Sequence, residues 1–165
     1  MLVGIIADTH DNIPLIREAI GVFNREGTAL NLHAGDFISP FALKEFGRLN
    51  TPLIGVFGNN DGDRDHLMRT AAEMENIDLR GDSAEVEIGS MRIGLVHGHD
   101  TALHNVLLEE GGYDAIVSGH SHRPLIGRSG TCLQINPGEA CGYLSGTPTV
   151  ALLETERREV RLVRL

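Results

Sequence analysis

Tryptophan is absent from this chain, and aromatic residues make up only 4% of it. A core without large rings must be filled by Leu, Ile, Val and Ala. Cysteine is almost missing too: Cys132 and Cys141 form no CxxC pair and could close at most one disulfide. That usage excludes a disulfide framework and fits reduced thiols packed as small apolar residues. Basic residues are in deficit, 14 Lys and Arg against 23 Asp and Glu, for a net charge of −9. The balance argues against a sequence-independent nucleic-acid surface or an anionic-membrane surface, both of which need basic patches. It leaves room for carboxylates that hold cations. Long apolar runs are lacking as well: "MLVGIIAD" is too short to span a bilayer, and no basic stretch precedes its apolar run. The expectation is a cytoplasmic protein with no membrane partner.

What is present suits one domain over residues 1–165 around a single core, since 41% of the 165 residues are hydrophobic. "LVGIIA" (2–7) reads as a buried strand. A helix is expected from about Pro14, with Leu15, Ile16, Ala19, Ile20 and Phe23 at helical spacing and Gly27 as its stop. Strands at 30–36 and 52–58 alternate with helices at 41–49 and 64–76, a β-α-β-α-β-α order that implies a parallel, layered sheet. After that come a hairpin turning at Gly89-Ser90, a helix in "TALHNVLLEEGG", a buried strand in "YDAIVSGH", and a hairpin around Ser129-Gly130. A final hairpin in "TVALLETERREVRLVRL" alternates apolar and charged residues. A parallel first half and an antiparallel second half suggest an α/β fold of two mixed β-sheets, packed face to face as a sandwich with flanking helices. The partly apolar last hairpin offers an edge to a second copy, a possible homo-oligomer.

The polar residues fall where such folds bind ligands, at the carboxyl ends of strands. "ADTH" supplies Asp8 and His10, "AGD" supplies Asp36, and "GNND" supplies Asn59, Asn60 and Asp61. "HGHD" adds His97 and His99, and "GHSH" adds His120 and His122. Five of the eight histidines lie in these loops. Imidazole with carboxylate suits Mn, Zn, Fe, Ni or Co, and the lack of cysteine in these motifs argues against a thiolate zinc site. The donors are too many for one tetrahedral ion. They suit two ions sharing a carboxylate, with Asp36 as the bridge. Two such ions can bind a phosphoryl group, acidify a water and stabilise entering and leaving oxygens, which points to phosphate-ester hydrolysis.

The ordered set "DTH", "GD", "GNND", "HGH" and "GHSH" over residues 8–122 resembles the calcineurin-like metallophosphoesterases, and the compact length resembles their small archaeal and bacterial phosphodiesterase branch. The resemblance implies that Asp8, His10 and His122 hold one ion and Asn59, His97 and His120 the other, with Asp36 between. It implies a two-sheet sandwich and a dinuclear phosphoesterase acting on a small phosphodiester by attack of a bridging hydroxide, with Mn or Ni the favoured ions. Many members carry histidine where this chain has Asn60, and an amide cannot supply a proton at neutral pH. That departure favours phosphodiesters over esters with poor leaving groups and leaves His99 as a substitute acid. Asn60 and His99 are therefore assigned with Asp36 to the catalytic group. A phosphomonoesterase or nucleotide hydrolase is the rival within the family. The rival outside it is a scaffold that has lost catalysis and binds proteins, as the retromer small subunit does.

Simpler roles are expected elsewhere. Asp61 orients a neighbour or caps a helix, Asp11 and Asn12 serve a turn or face substrate, and His33 is a hydrogen-bonded core residue. His66 and His104 sit on helix surfaces.

Overall fold

The computed structural model describes residues 1–165, the side chain of Glu110 excepted. Strand β1 (Leu2–Ile6) leads into helix α1 (Ile13–Glu26), and β2 (Leu30–His33) follows. Helix α1 forms because its apolar residues repeat at helical spacing: Ile16, Ala19, Ile20 and Phe23 face inward and are buried. Asn12 caps its start, and Gly27 ends it in the left-handed region at φ 69°. Helix α2 (Pro40–Glu45), continued by a 3-10 turn over Phe46–Arg48, precedes β3 (Leu53–Gly55). Helix α3 (Arg64–Ala72) precedes β4 (Ile77–Leu79). The hairpin β5 (Ser83–Ile88) and β6 (Met91–Val96) turns at Gly89-Ser90, as expected. Then come α4 (Thr101–Glu110), β7 (Ala115–Val117), β8 (Leu125–Ser129), β9 (Cys132–Asn136), β10 (Thr149–Glu154) and β11 (Glu159–Arg164).

Two mixed sheets result, one ordered β11-β10-β1-β2-β3-β4 and the other β5-β6-β7-β9-β8. Their inner faces meet in an aliphatic layer in which Val3, Ile5, Leu32 and Val56 pack with Ile93, Leu95, Val117 and Ile135. A second core covers the outer face of the larger sheet, where Phe23, Phe37, Phe46, Leu53 and Leu67 pack beneath α1, α2 and α3. A smaller cluster of Val96, Leu107 and Ile116 seats α4 on the other sheet. Each fully buried Leu, Ile or Phe contributes roughly 1.5–3 kcal/mol, so these layers hold the loops at the strand ends in place.

Several details differ from the sequence reading. Helix α3 stops at Ala72 rather than residue 76, because Asn76 turns to donate its side-chain amide to the carbonyls of Phe46 and Leu49. The chain then forms β4, a strand too short to show a pattern of its own. The second half is not purely antiparallel: β6 pairs with β7, and β7 with β9, in parallel. The α4 crossover between β6 and β7 requires that arrangement. The turn expected at Ser129-Gly130 sits one residue later, since Ser129 pairs with Cys132.

Candidate metal centre

Strands β1, β2 and β3 of one sheet and β6 and β7 of the other point their carboxyl ends at the same edge. His97, just after β6, lies with its Nε2 3.4 Å from Asp36 Oδ2, which follows β2. His122 Nε2 lies 3.4 Å from Asp8 Oδ1, and His10 Nε2 lies 3.4 Å from Asp36 Oδ2 and 3.9 Å from Asp8 Oδ1. The ligand atoms of Asp8, His10, Asp36 and His122 all fall within 4.8 Å of one another. Asn59 Oδ1 is 3.1 Å from His97 Nε2, and the His120 ring is centred 5.2 Å from that of His97. The seven sequence-assigned donors thus gather at one edge. His99 stands exposed at the rim, its ring 5.4 Å from His97 and 6.2 Å from His120.

The backbone is bent to aim these groups. Asp8, His10, Asp11, Asp36, Ile38, His120 and His122 all have positive φ, between 40° and 84°; among the described residues Arg158 is the only other non-glycine to do so. Each costs on the order of 1 kcal/mol, and such strain clusters at sites that act on ligands. Glycines make the remaining room. A Cβ on Gly58 would meet Asp36 Oδ1 at 2.1 Å, and one on Gly119 would meet Asp8 Oδ2 at 2.8 Å.

Supporting hydrogen bonds fix the donors. His97 donates Nδ1–H to the Ala34 carbonyl at 2.7 Å, and His122 donates Nδ1–H to Glu139 Oε2 at 2.7 Å. Both rings therefore turn an Nε2 lone pair toward the carboxylates. Asp36 accepts from the Asn60 backbone at 2.9 Å and from Asn60 Nδ2 at 2.8 Å. Asp61 is buried and accepts from the backbone N–H groups of Asp36, Ile38 and Gly58, so it shapes the Asp36 loop and leaves the capping of α3 to Asp63. His33 is fully buried: its Nδ1 accepts from Gly35, which leaves Nε2–H to donate to Thr9, whose hydroxyl donates to the Asp36 carbonyl. Asn12 caps α1, Asp11 accepts from Ser39, His66 is exposed and His104 is half-buried.

The arrangement fits cations. His10 Nε2 is buried and has no hydrogen-bond partner among the described residues. Nitrogen-to-oxygen gaps of 3.4 Å are longer than a charge-assisted hydrogen bond. Two atoms each about 2.1 Å from one ion lie about 3.0–3.4 Å apart for octahedral or tetrahedral angles. Electrostatics agree. Burial works to raise the Asp36 carboxyl, but the neighbouring His97 ring and the hydrogen bonds from Asn60 hold it well below the usual carboxylate range. Burial pushes Asp8 up to about 6, so protons compete with a cation for its oxygens below that pH. Burial lowers the pKa of His10, favouring the neutral, ligating imidazole.

Two residues escaped the sequence reading. Glu139 is buried against His122, and its only sequence signal is a long connection, residues 137–148, between two strands of different sheets. Cys141, expected only as a packed reduced thiol, stands beside the donors. Its Sγ lies within 4.8 Å of ligand atoms of His10 and His122, because Ala140 and Cys141 donate backbone hydrogen bonds to Ala7 and Asp8. The thiol donates to Glu139 Oε2 at 3.2 Å, and burial pushes its pKa up to about 12, so it stays protonated.

Similarity to known proteins follows the same lines. Residues 1–158 match the family model of the calcineurin-like phosphoesterase superfamily domain. A phosphodiesterase of Methanocaldococcus jannaschii is 40% identical over 165 residues, covering all of this chain and 99% of its relative. A probable metallophosphoesterase of Methanothermobacter thermautotrophicus is 34% identical, covering 99% of this chain and 92% of its relative. Among solved structures, an archaeal phosphodiesterase superposes with a TM-score of 0.94 at 40% identity over the whole of both chains. Vps29 of Entamoeba histolytica, in complex with zinc, shares the fold at a TM-score of 0.69 and 21% identity, covering all of this chain and 98% of its own. With the donor geometry, the ordered motifs and these matches in agreement, this chain belongs to the calcineurin-like phosphoesterase superfamily.

Proposed function

We infer that this protein is a phosphodiesterase dependent on two divalent transition-metal ions. The observation that carries the reading is the approach of three imidazole Nε2 atoms, from His10, His97 and His122, to 3.4 Å from carboxylate oxygens of Asp8 and Asp36. Asp8, His10 and His122 hold one ion, Asn59, His97 and His120 the other, and Asp36 lies between. When bound, the ions neutralise the phosphate and bring the pKa of a water toward neutrality. The chain supplies the rest. Asn60 locks the Asp36 carboxylate through two hydrogen bonds and keeps a second amide hydrogen for a phosphate oxygen. No histidine stands at position 60 to protonate a poor leaving group. His99, exposed at the rim, is the nearest acid of suitable kind. This donor set favours hydrolysis of small diesters whose leaving group needs little help.

The whole chain, residues 1–165, acts as one unit, because each sheet supplies only part of the ligand set. Mn²⁺ and Ni²⁺ are the favoured ions, consistent with nitrogen and oxygen donors. Among the described residues no helix is long and apolar enough to cross a membrane, which accords with a cytoplasmic enzyme. A scaffold used only for protein binding has no need of seven intact donors, and all seven are present in the sequence. The deciding experiment is a screen of chromogenic mono- and diesters with metal-supplemented protein. Bis-p-nitrophenyl phosphate should be cleaved faster than p-nitrophenyl phosphate, with activity lost in excess chelator and restored by Mn²⁺ or Ni²⁺. Full activity in chelator, or no cleavage of any ester, would overturn the assignment.

A further inference from the structure

Glu139 is 0% exposed, yet its two oxygens receive hydrogen bonds from two parts of the site. Oε2 accepts from His122 Nδ1 at 2.7 Å and from Cys141 Sγ at 3.2 Å. Oε1 accepts from the backbone N–H of Leu144 at 3.0 Å and from that of Ser145. Leu144, fastened by those bonds, is 77% exposed, and Tyr143 before it is 64% exposed. Leu144 and Ser145 line one cleft with Ser121, His122 and Arg123.

We propose that Glu139 is a positioning residue that couples the His122 end of the metal centre to the 143–145 segment beside it. On one side it selects the Nδ1–H tautomer of His122, so that Nε2 is free to bind an ion. On the other it pins the segment that borders the cleft next to His122, so that the cleft wall and the ligand share one anchor. The inference rests on the metal reading above for its first half. Carboxylates behind ligating histidines commonly fix tautomer and raise basicity, and their loss costs 10–100-fold in metal affinity.

The chemistry dictates the test. A glutamine at this position has one acceptor oxygen and one amide donor. Whichever way it turns, an NH₂ group faces either His122 Nδ1–H or the backbone N–H groups of Leu144 and Ser145. Glu139→Gln therefore breaks one side of the link, and Glu139→Ala breaks both.

Three measurements read this out on the full chain: ¹⁵N NMR of the His122 tautomer in metal-free protein, hydrogen exchange of the Leu144 and Ser145 amides, and Mn²⁺ affinity by titration. Wild type should show the Nδ1–H form and protected amides. Glu139→Ala should shift the ring toward Nε2–H, expose both amides to exchange, and weaken Mn²⁺ binding about 10–100-fold. If that variant does not fold, Glu139→Gln carries the test, with the loss of either the tautomer or the amide protection. A purely structural role would lower the melting temperature but leave tautomer and Mn²⁺ affinity at wild-type values, and that result overturns the proposal. If wild type binds no metal, the metal reading fails, while tautomer and exchange in metal-free protein still judge Glu139.

Discussion

Asp8, His10, Asp36 and His122 bring their ligand atoms within 4.8 Å of one another, and none is more than 20% exposed. Around Asn59, His97 and His120 no comparable group of His, Cys, Asp or Glu donors forms among the described residues, and His120 and Asn59 are exposed. The difference has a structural cause. Three members of the first group, Asp8, His10 and Asp36, follow two strands at the middle of the larger sheet, β1 and β2, and His122, from the loop after β7, is backed by the buried Glu139. Of the second, only His97 is anchored through its ring, by Nδ1–H donation to the Ala34 carbonyl, with Asn59 Oδ1 3.1 Å from its Nε2. A site assembled before its ion arrives binds that ion without ordering its own loops, whereas the other must gather ligands on binding. On the proposed two-ion reading the first group is the tighter position and the second the weaker, and Asp36, with His10 of one group and His97 of the other each 3.4 Å away, joins them.

The sharpest way to break that contrast is to remove the junction. Asp36→Asn keeps the shape but loses the charge that both groups share. Turnover should fall by more than the roughly 10–100-fold typical of groups behind the ligands, with metal content by elemental analysis dropping below one ion per chain. Unchanged turnover would end the shared-carboxylate account. A smaller effect separates the two groups directly. His122→Ala should abolish the tight calorimetric step in a Mn²⁺ titration, while His120→Ala should keep it and lose the weaker one. The two steps in wild type should differ by at least about tenfold in affinity, or about 1.4 kcal/mol. Equal losses in the two variants would show that the halves are built alike.

The same contrast explains what the sequence made legible. Asp8, Asp36, His97 and His122 each follow an apolar strand, so pattern alone located them. The strand-helix alternation of residues 2–72 needed only periodicity and caps, with Asn12 and Gly27 bounding α1. What stayed hidden depends on contacts distant in sequence. Glu139 is 17 residues from His122, on a connection with no periodic signal. Cys141 reaches the site only because its backbone joins the end of β1. Strand β4 has three residues and exists because β3 offers a parallel partner. His33 reads as a hydrogen-bonded core residue and is one, but its partners, Thr9 and Gly35, through which it links the Asp8 and Asp36 loops, were not legible.

Asn60, proposed above to set ester preference, lies beside the second group, and this gives the finest test. Asn60 is exposed beside Asn59, and its side chain donates to Asp36 Oδ2 at 2.8 Å. An imidazole there can lend a proton to a departing alkoxide, an effect worth up to about 10²–10⁴ when ideally placed. It also gives up the amide that steadies Asp36, which lowers turnover on all substrates. The first effect acts only where the leaving group is poor, and the second acts on every ester. Asn60→His should therefore reduce diester turnover slightly while raising the monoester-to-diester ratio of kcat/KM about tenfold, with alkyl phosphates gaining more than aryl ones. A ratio that does not move, measured on matched aryl and alkyl esters, would mean that proton supply at position 60 does not decide the substrate.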